Sequence, residues 1–526
     1  MPANAVPRKK VAIVGSGCSG IAALWALNRT HHDVYLYEAA DRLGGHTNTV
    51  DYRHGKYTTK VDTGFIVMNT ATYPNFIKFL HKVGVPIVPT PMTFSVCRDH
   101  GIFEWAGTDL GGLFCQRGNI VSPRMWRMIF DILRFNQFAL DLIEDEAAPS
   151  QTTRTAGESI GQYLEREGYS DAFRDDYLIP MTAAVWSTSP DKCSLDFPAA
   201  TLVRFLWNHH LLTTVAQRPD WLTIDTGSQS YIDAVMKGFP ANHLLLNTPV
   251  RSVTNEPDGR VRLHLDNGTS EVYDHVILAT HGDEAYDIIR ESATPEERDI
   301  MSCFHTSKNE AVLHSDISQL PLSRKAWSSW NYLSLSLPRS PESRPAHTQG
   351  TGTVIDRVSL TYNMNILQHI PTDVFGDVLV TLNPLTDPDP KTVQGRYKYT
   401  HPLYTAAAVR AQELLPRIQN TRGISYAGAW TKYGFHEDGF SSGLAIAKDH
   451  LGARLPFEFV DSTYSRGRAP KLGIADLLLR IFLWLVQACL IETVEKLLGI
   501  YQRTRKPIAE KTANGVSRDS KNGKLV

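Results

Sequence analysis

From Lys9 to Glu38 the chain sets a short apolar run, Val11 to Val14, before a glycine-rich turn, a helical pattern and a second apolar run. That order predicts strand, helix, strand. Further on, KVDTG at Lys60 to Gly64 leads into an amphipathic helix carrying Phe76, Phe79, Leu80 and Val83. TFSVCRD and IFEWAG flank Asp99, His100 and Gly101, which predicts a hairpin. Ser122 and Pro123 supply an N-cap and a first-turn proline to a long helix. Its apolar stripe, Trp126, Ile129, Phe130, Leu133, Phe138 and Leu142, reads as core packing, with part of it free to line a tunnel. A second helical run continues into Trp186. DTGSQSYIDAVM predicts a glycine turn and a helix, and strands follow at LLLNTPVRSVTNE, RVRLHLDNG and DHVILATHG. Between Glu291 and Gly423 strands and loops dominate, and Trp327, Trp330, Tyr332, Tyr362, Asn363 and Asn365 are candidates for the floor of a pocket. Pro338 to Gly352 reads as an exposed linker.

The opening turn carries chemistry. Gly15, Gly17 and Gly20 form GxGxxG between the strand and the helix, with Cys18 and Ser19 inside it. Glycines there let the backbone approach a pyrophosphate, whose charge sits on the amides and dipole of the helix N-terminus. Glu38 is placed to accept from ribose hydroxyls and repels a 2′-phosphate, which disfavours NADP. With strand, helix and acid in register, the stretch predicts dinucleotide binding. Asp41 to His46 then read DRLGGH, a run that plain NAD dehydrogenases lack.

With DRLGGH in place, the chain resembles the FAD-dependent amine oxidase and phytoene desaturase superfamily. In that superfamily an RxGG segment, here Arg42, Gly44 and Gly45 with His46 beside them, lies along the cofactor diphosphate and leads towards the flavin. A second anchor, GISYAGAWTKYGFHEDGFSSGLAIAKDH at Gly423 to His450, resembles the strand, loop and helix that complete the isoalloxazine site. By that resemblance Val250, Gly428, Asp438, Gly439 and Ser441 join the cofactor site, Val250 passing the adenine. The helix N-terminus there suits the electron-rich edge of a reduced flavin. The YGFHEDG wording departs from common amine oxidase text and resembles a desaturase-like branch also found as the N-terminal half of plant cyclopropane fatty acid synthases. The resemblance spans about residues 9 to 450.

The implied fold is α/β: a discontinuous Rossmann-like FAD-binding domain interleaved with an α+β substrate domain, plus a C-terminal apolar helix. The expected division is cofactor domain at 1–88, 221–290 and 423–455, substrate domain at 89–220 and 291–422, and tail at 456–526. The implied reaction is hydride removal from carbon, with oxygen or a quinone as electron acceptor. His46, Tyr433, His436 and Glu437 are the candidates for groups near the flavin, with a role in fixing the loop as the alternative. No lysine can be assigned to the place where amine oxidases hold a water near the flavin. The branch and the apolar substrate domain favour a hydrophobic lipid or unsaturated fatty acyl substrate. An amine oxidase, a redox-neutral double-bond isomerase and a non-catalytic FAD-stabilised lipid-binding scaffold are the alternatives.

Composition narrows this further. Among 526 residues, 54 basic and 55 acidic side chains leave a formal net charge of −1, so no field points to nucleic acid. The six cysteines are scattered without metal-ligand spacing, which predicts buried thiols, a reducing compartment and no metal site. MPANAVPRKK is short and polar and shows no secretory signal, so an intracellular location is expected. Ile474 to Ile491 is apolar apart from Asp476, Arg480 and Gln487, with basic residues on both sides. A membrane-associated helix over 473–499, interfacial or shallow, is expected there, because an arginine in mid-span costs roughly 2.5 to 3.5 kcal/mol. After Lys506 the polar sequence reads as disordered.

Overall fold

A computed structural model describes residues 7–143, 158–186, 195–212, 219–338, 353–464, 466–467 and 470–494. The linker expected at 338–352 lies outside them apart from Pro338, as do the polar end and residues 495–499 of the tail helix.

Five parallel strands form the cofactor-type sheet, in the order Leu244–Leu245, Asp33–Tyr37, Lys10–Val14, His275–Leu278, Ile424–Tyr426. Val11, Ile13, Val276 and Ile277 are fully buried, which is why these strands read as apolar runs rather than alternations. Three distant stretches of sequence therefore meet in one sheet. The first helix, Cys18–Leu27, packs on the helix His436–Asp449. A Cβ at Gly443 would lie 2.0 Å from the carbonyl oxygen of Ser19, so this crossing needs glycine. On the other side, Val250–Asn255, Val261–Leu265 and Ser270–Tyr273 make a small antiparallel sheet.

A seven-stranded sheet forms the second layer. Its order is Gly395–Pro402, Thr306–His314, Leu379–Leu382, Thr353–Asn363, Trp330–Pro338, Phe94–Arg98, Phe103–Ala106. The expected hairpin closes it, with Asp99, His100 and Gly101 all at positive φ. Helices at Pro123–Phe138, Ile160–Arg166, Asp171–Phe173, Ile179–Trp186 and Ala199–Asn208 surround a separate apolar cluster that includes Phe135, Phe173 and Phe205.

Pro123–Phe138 buries part of the face its apolar stripe suggests and adds polar residues to it. Met125, Met128, Asp131, Arg134 and Phe135 are buried, whereas Trp126 is 52% exposed. Asp131 is tolerated inside because Arg127 and the backbone N–H of Ser170 both donate to it at 3.0 Å. Arg134 lies over the Tyr169 ring at 3.8 Å and donates to the carbonyl of Glu167. Of the predicted stripe, Leu142 is buried and Ile129 packs on the core, while Trp126 is turned out. The Asp131 and Arg134 ion pairs share the buried face with Met125, Met128 and Phe135. Behind the sheets, Ile474–Leu485 continues through Val486–Ile491 as an apolar helix along Pro123–Phe138.

Candidate functional site

A cavity of about 670 Å³ runs between the two sheets, from the glycine turn to the start of the His436–Asp449 helix. At its nucleotide end each glycine of the turn has a separate job. A Cβ on Gly15, at φ +99°, would lie 2.6 Å from the carbonyl oxygen of Ala279, and one on Gly20 would lie 2.0 Å from that of Gly15. A Cβ on Gly17 would meet nothing within 4 Å, because that residue faces the cavity. Gly15 and Gly20 let the turn close, and Gly17 leaves room for a diphosphate at the helix N-terminus.

Glu38 is fixed before any ligand arrives. Its Oε2 accepts from the Ser16 backbone N–H at 2.9 Å and from the Ser16 hydroxyl at 2.5 Å, and its Oε1 from the Ala40 N–H at 2.9 Å. Gly44 and Gly45, both at positive φ, bring the following loop back over the turn, where the Gly44 N–H donates to the carbonyl of Ser16. Gly15, Gly17, Cys18, Ser19, Glu38, Gly44, Gly45, His46 and Val250 all line the cavity. Burial pushes the Cys18 thiol up to about 12, so it is inert packing. Arg42 is exposed and does not line the cavity; it donates to the carbonyls of Gly45 at 2.8 Å and of Leu43 and Thr47 at 3.3 Å.

The second anchor meets the cavity through Gly428 to Trp430 and Gly434 to His436. Gly428 and His436 reach the cavity wall, and Tyr433, Glu437, Asp438, Gly439 and Ser441 do not. Glu437 is buried and caps another helix: its Oε1 accepts from the N–H of Asn75 at 3.1 Å and its Oε2 from that of Phe76 at 2.9 Å, at the start of Pro74–Val83. The Asn75 side-chain amide and the Ser441 hydroxyl complete that knot. Burial pushes Glu437 up to about 7 against these donors. Asp438 accepts from the N–H of Phe435 at 3.0 Å and so caps its own helix. Gly439 is spent on packing, since a Cβ there would meet Cys18 Sγ at 2.6 Å. Tyr433 packs on Phe205 with ring centroids 5.9 Å apart. His436 stacks on Phe65 at 3.8 Å, and its Nε2 is 3.0 Å from the Tyr231 hydroxyl, itself 2.7 Å from Thr47 Oγ1. Burial drives His436 down to about 3, so it is a neutral part of the wall.

Sequence reasoning missed a histidine cluster around His46. His401 and His281 lie edge-on to it at 5.0 and 5.8 Å, and Tyr399 stacks on it at 5.0 Å. Burial pushes His401 down to about 4 and holds His46 well below the usual range, helped by the neighbouring imidazoles. The His46 Nε2 is buried with no partner in the protein. These rings come from three strands or loops far apart in sequence, so no local spacing announces them. The other wall is apolar: Phe65, Met92, Phe205, Trp221, Trp330 and Tyr362. Trp330 Nε1 is a buried donor without a protein partner. Of the other floor candidates, Trp327 donates to the carbonyl of Pro321, Asn363 and Asn365 hold the Met364–Leu367 turn and the loop after it, and Tyr332 is core. Asp62 is buried and accepts from Thr49, Ser228 and Gln368, tying three distant stretches together.

Residues 18–312, more than half of the chain, match the family described as flavin containing amine oxidoreductase, and the chain belongs to that family. A protein named as flavin-containing monoamine oxidase AofH, from Mycobacterium tuberculosis, is 27% identical over 267 residues, 50% of this chain and 54% of the relative. The chain thus spans about half the length of the curated relatives it matches first. Among solved structures, cyclohexylamine oxidase from Brevibacterium oxydans has a TM-score of 0.58 at 16% identity, covering 85% of this chain and all of the other. A fatty acid isomerase from P. acnes that produces CLA has a TM-score of 0.55 at 15% identity, over 84% and 98% of the two chains. These likenesses show the fold. The cofactor of the family is FAD, and the open face at Gly17, the fixed Glu38 and the unpartnered His46 Nε2 fit it.

Proposed function

We propose that this chain is an FAD-dependent oxidoreductase that removes hydride from a C–H bond of an apolar substrate, a lipid or unsaturated fatty acyl compound. One observation carries the reading: the cavity wall away from the nucleotide end is aromatic, and the described lining residues include no lysine. Their carboxylates are Glu38, Glu284 and Asp287. Glu38 is tied to the glycine turn, and the other two sit on Gly282–Ile289, the helix packed on the strand that begins at Val250. Among the described lining residues no carboxylate stands on the aromatic wall, so a substrate ammonium there would have only ring faces to offset its charge. A lone N–H at Trp330 Nε1 suits one acyl oxygen.

When bound, FAD supplies the hydride acceptor. The chain's own part is to place and to exclude. Gly17 and the first helix seat the diphosphate, and Glu38 the ribose. Phe65, Phe205, Trp330 and Tyr362 press the reacting carbon into a dry site. His46, held neutral by burial and the imidazoles beside it, would offer its unpartnered Nε2 to the cofactor as a hydrogen-bonding group. Oxygen or a quinone would be the electron acceptor that completes the cycle.

A redox-neutral double-bond shift is the second reading, favoured by the likeness to the fatty acid isomerase. Incubation with an unsaturated fatty acid, followed by mass analysis of the products and a peroxide assay, separates the two. A product two hydrogens lighter supports the desaturase, accompanied by peroxide where oxygen is the acceptor. An isomer of equal mass without peroxide supports the isomerase. Recovery of unchanged acid with every acyl substrate, alongside turnover of an amine, contradicts both.

A further inference from the structure

The helix Ile474–Val494 has 21 residues, about 30 Å at ~1.5 Å per residue, which is the thickness of a bilayer core. Length alone would let it span, and its packing says otherwise. Asp476 and Arg480 fall on the face turned to the protein. Arg480 donates to Asp141 at 2.8 Å and to the carbonyl of Gln137, its guanidinium lies 5.3 Å from the Phe138 ring, and Gln137 donates to Asp476 at 3.5 Å. Leu483, on the same face, is buried. The opposite face is apolar and bare: Leu478 is 62% exposed, Phe482 61% and Trp484 62%, with Leu477, Ile481 and Leu485 between them. A surface helix of a water-soluble protein shows the reverse polarity, and a continuous apolar patch of this kind marks an interaction surface. In sequence the helix is bracketed by Lys471, which is exposed, and by Arg503, Arg505 and Lys506.

We propose that this helix binds an anionic membrane in the plane of the interface, its polar stripe held on the protein and its Leu478, Phe482 and Trp484 face sunk in the acyl boundary. The exposed Lys471 at the start of the helix supplies a cation for acidic headgroups, and the sequence beyond Tyr501 adds Arg503, Arg505 and Lys506. A span would have to pull Arg480 off Asp141 and carry it into hydrocarbon. The segment leading to the helix is itself seated: Arg466 lies 3.5 Å over the Trp207 ring and donates to its carbonyl, and Asn208 donates to the carbonyl of Thr463. Those contacts end the helix Ala199–Asn208, whose Phe205 lines the cavity.

The test is sedimentation of the full-length flavoprotein with phosphatidylcholine vesicles, with and without phosphatidylserine, beside the double variant Leu478→Glu, Phe482→Glu. Both residues are exposed, so flavin content checks that the variant folds. The expected result is binding that is stronger to the phosphatidylserine vesicles, lost by about tenfold or more in the variant, and released by alkaline carbonate. Equal sedimentation of wild type and variant overturns the proposal. So does binding that resists carbonate, which would mean a span, or a wild-type dimer that the variant splits without any vesicle binding, which would mean a second copy covers the face.

Discussion

Gly17 separates binding from folding at a single Cβ. Its backbone, at φ −61° and ψ 178°, suits any residue, and the added methyl would meet no protein atom. Gly17→Ala is therefore expected to keep the melting temperature of the flavin-free protein and to lose FAD affinity about tenfold or more, read by flavin fluorescence titration. Gly20→Ala should instead cost about 1–3 kcal/mol of stability, since its Cβ must displace the Gly15 carbonyl. Equal stability losses in the two variants would contradict the division of labour. On the opposite wall, Trp330→Phe keeps an aromatic ring and removes the pyrrole half of the indole with its N–H. It should raise KM for an acyl substrate about five- to tenfold with flavin content unchanged, the value of one hydrogen bond of ~1 kcal/mol. The glycine turn and Glu38 are legible in the sequence because their spacing is local. His281 and His401 are not, because only the tertiary fold brings them to His46.

Among the elements, the helix His436–Asp449 was expected to present its acids to the flavin, and it spends them on architecture. Glu437 holds the N-terminus of Pro74–Val83 from 362 residues away in sequence, a distance over which no periodicity can speak. Removing it with Glu437→Ala leaves the N–H groups of Asn75 and Phe76 without their acceptor. The expected loss is about 1–3 kcal/mol in a denaturant titration, with the reduction rate of the bound flavin unchanged because Glu437 does not line the cavity. A fall in that rate at full flavin occupancy would return Glu437 to the chemistry. Pro123–Phe138 carries the same lesson. Its boundaries, Ser122 cap and proline start are legible, and so is part of its apolar face, but the burial of Asp131 and Arg134 beside Met125, Met128 and Phe135 is not something a hydrophobic stripe can reveal.

For the whole molecule, acid is the stress to apply. Burial pushes His209, His314 and His401 down to about 4 and His275 and His436 to about 3. Each stays neutral in the folded chain and takes a proton on unfolding below pH 6.5. Its contribution is complete above that pH and is lost as the pH falls towards 4, on the order of 1 kcal/mol per pH unit. Asp62 and Asp438, raised to about 6, and Glu437, raised to about 7, act oppositely: they favour the folded state in acid and lose that contribution as the pH rises to 7. Five histidines against three acids predict that stability by urea titration falls between pH 6.5 and 5. A flat or rising profile would contradict the burial assigned to the histidines.

The strand, helix, strand order of the first unit follows from its apolar runs, and the interleaving of a parallel sheet with a second, mixed sheet is what the resemblance carried by the two anchors implies. What the anchors leave open is what sits against the aromatic wall. Anaerobic addition of candidate substrates, followed by the visible absorbance of the bound flavin, tests that most directly. Unsaturated fatty acyl compounds should bleach it and primary or polyamines should not. Bleaching by amines alone would contradict the account.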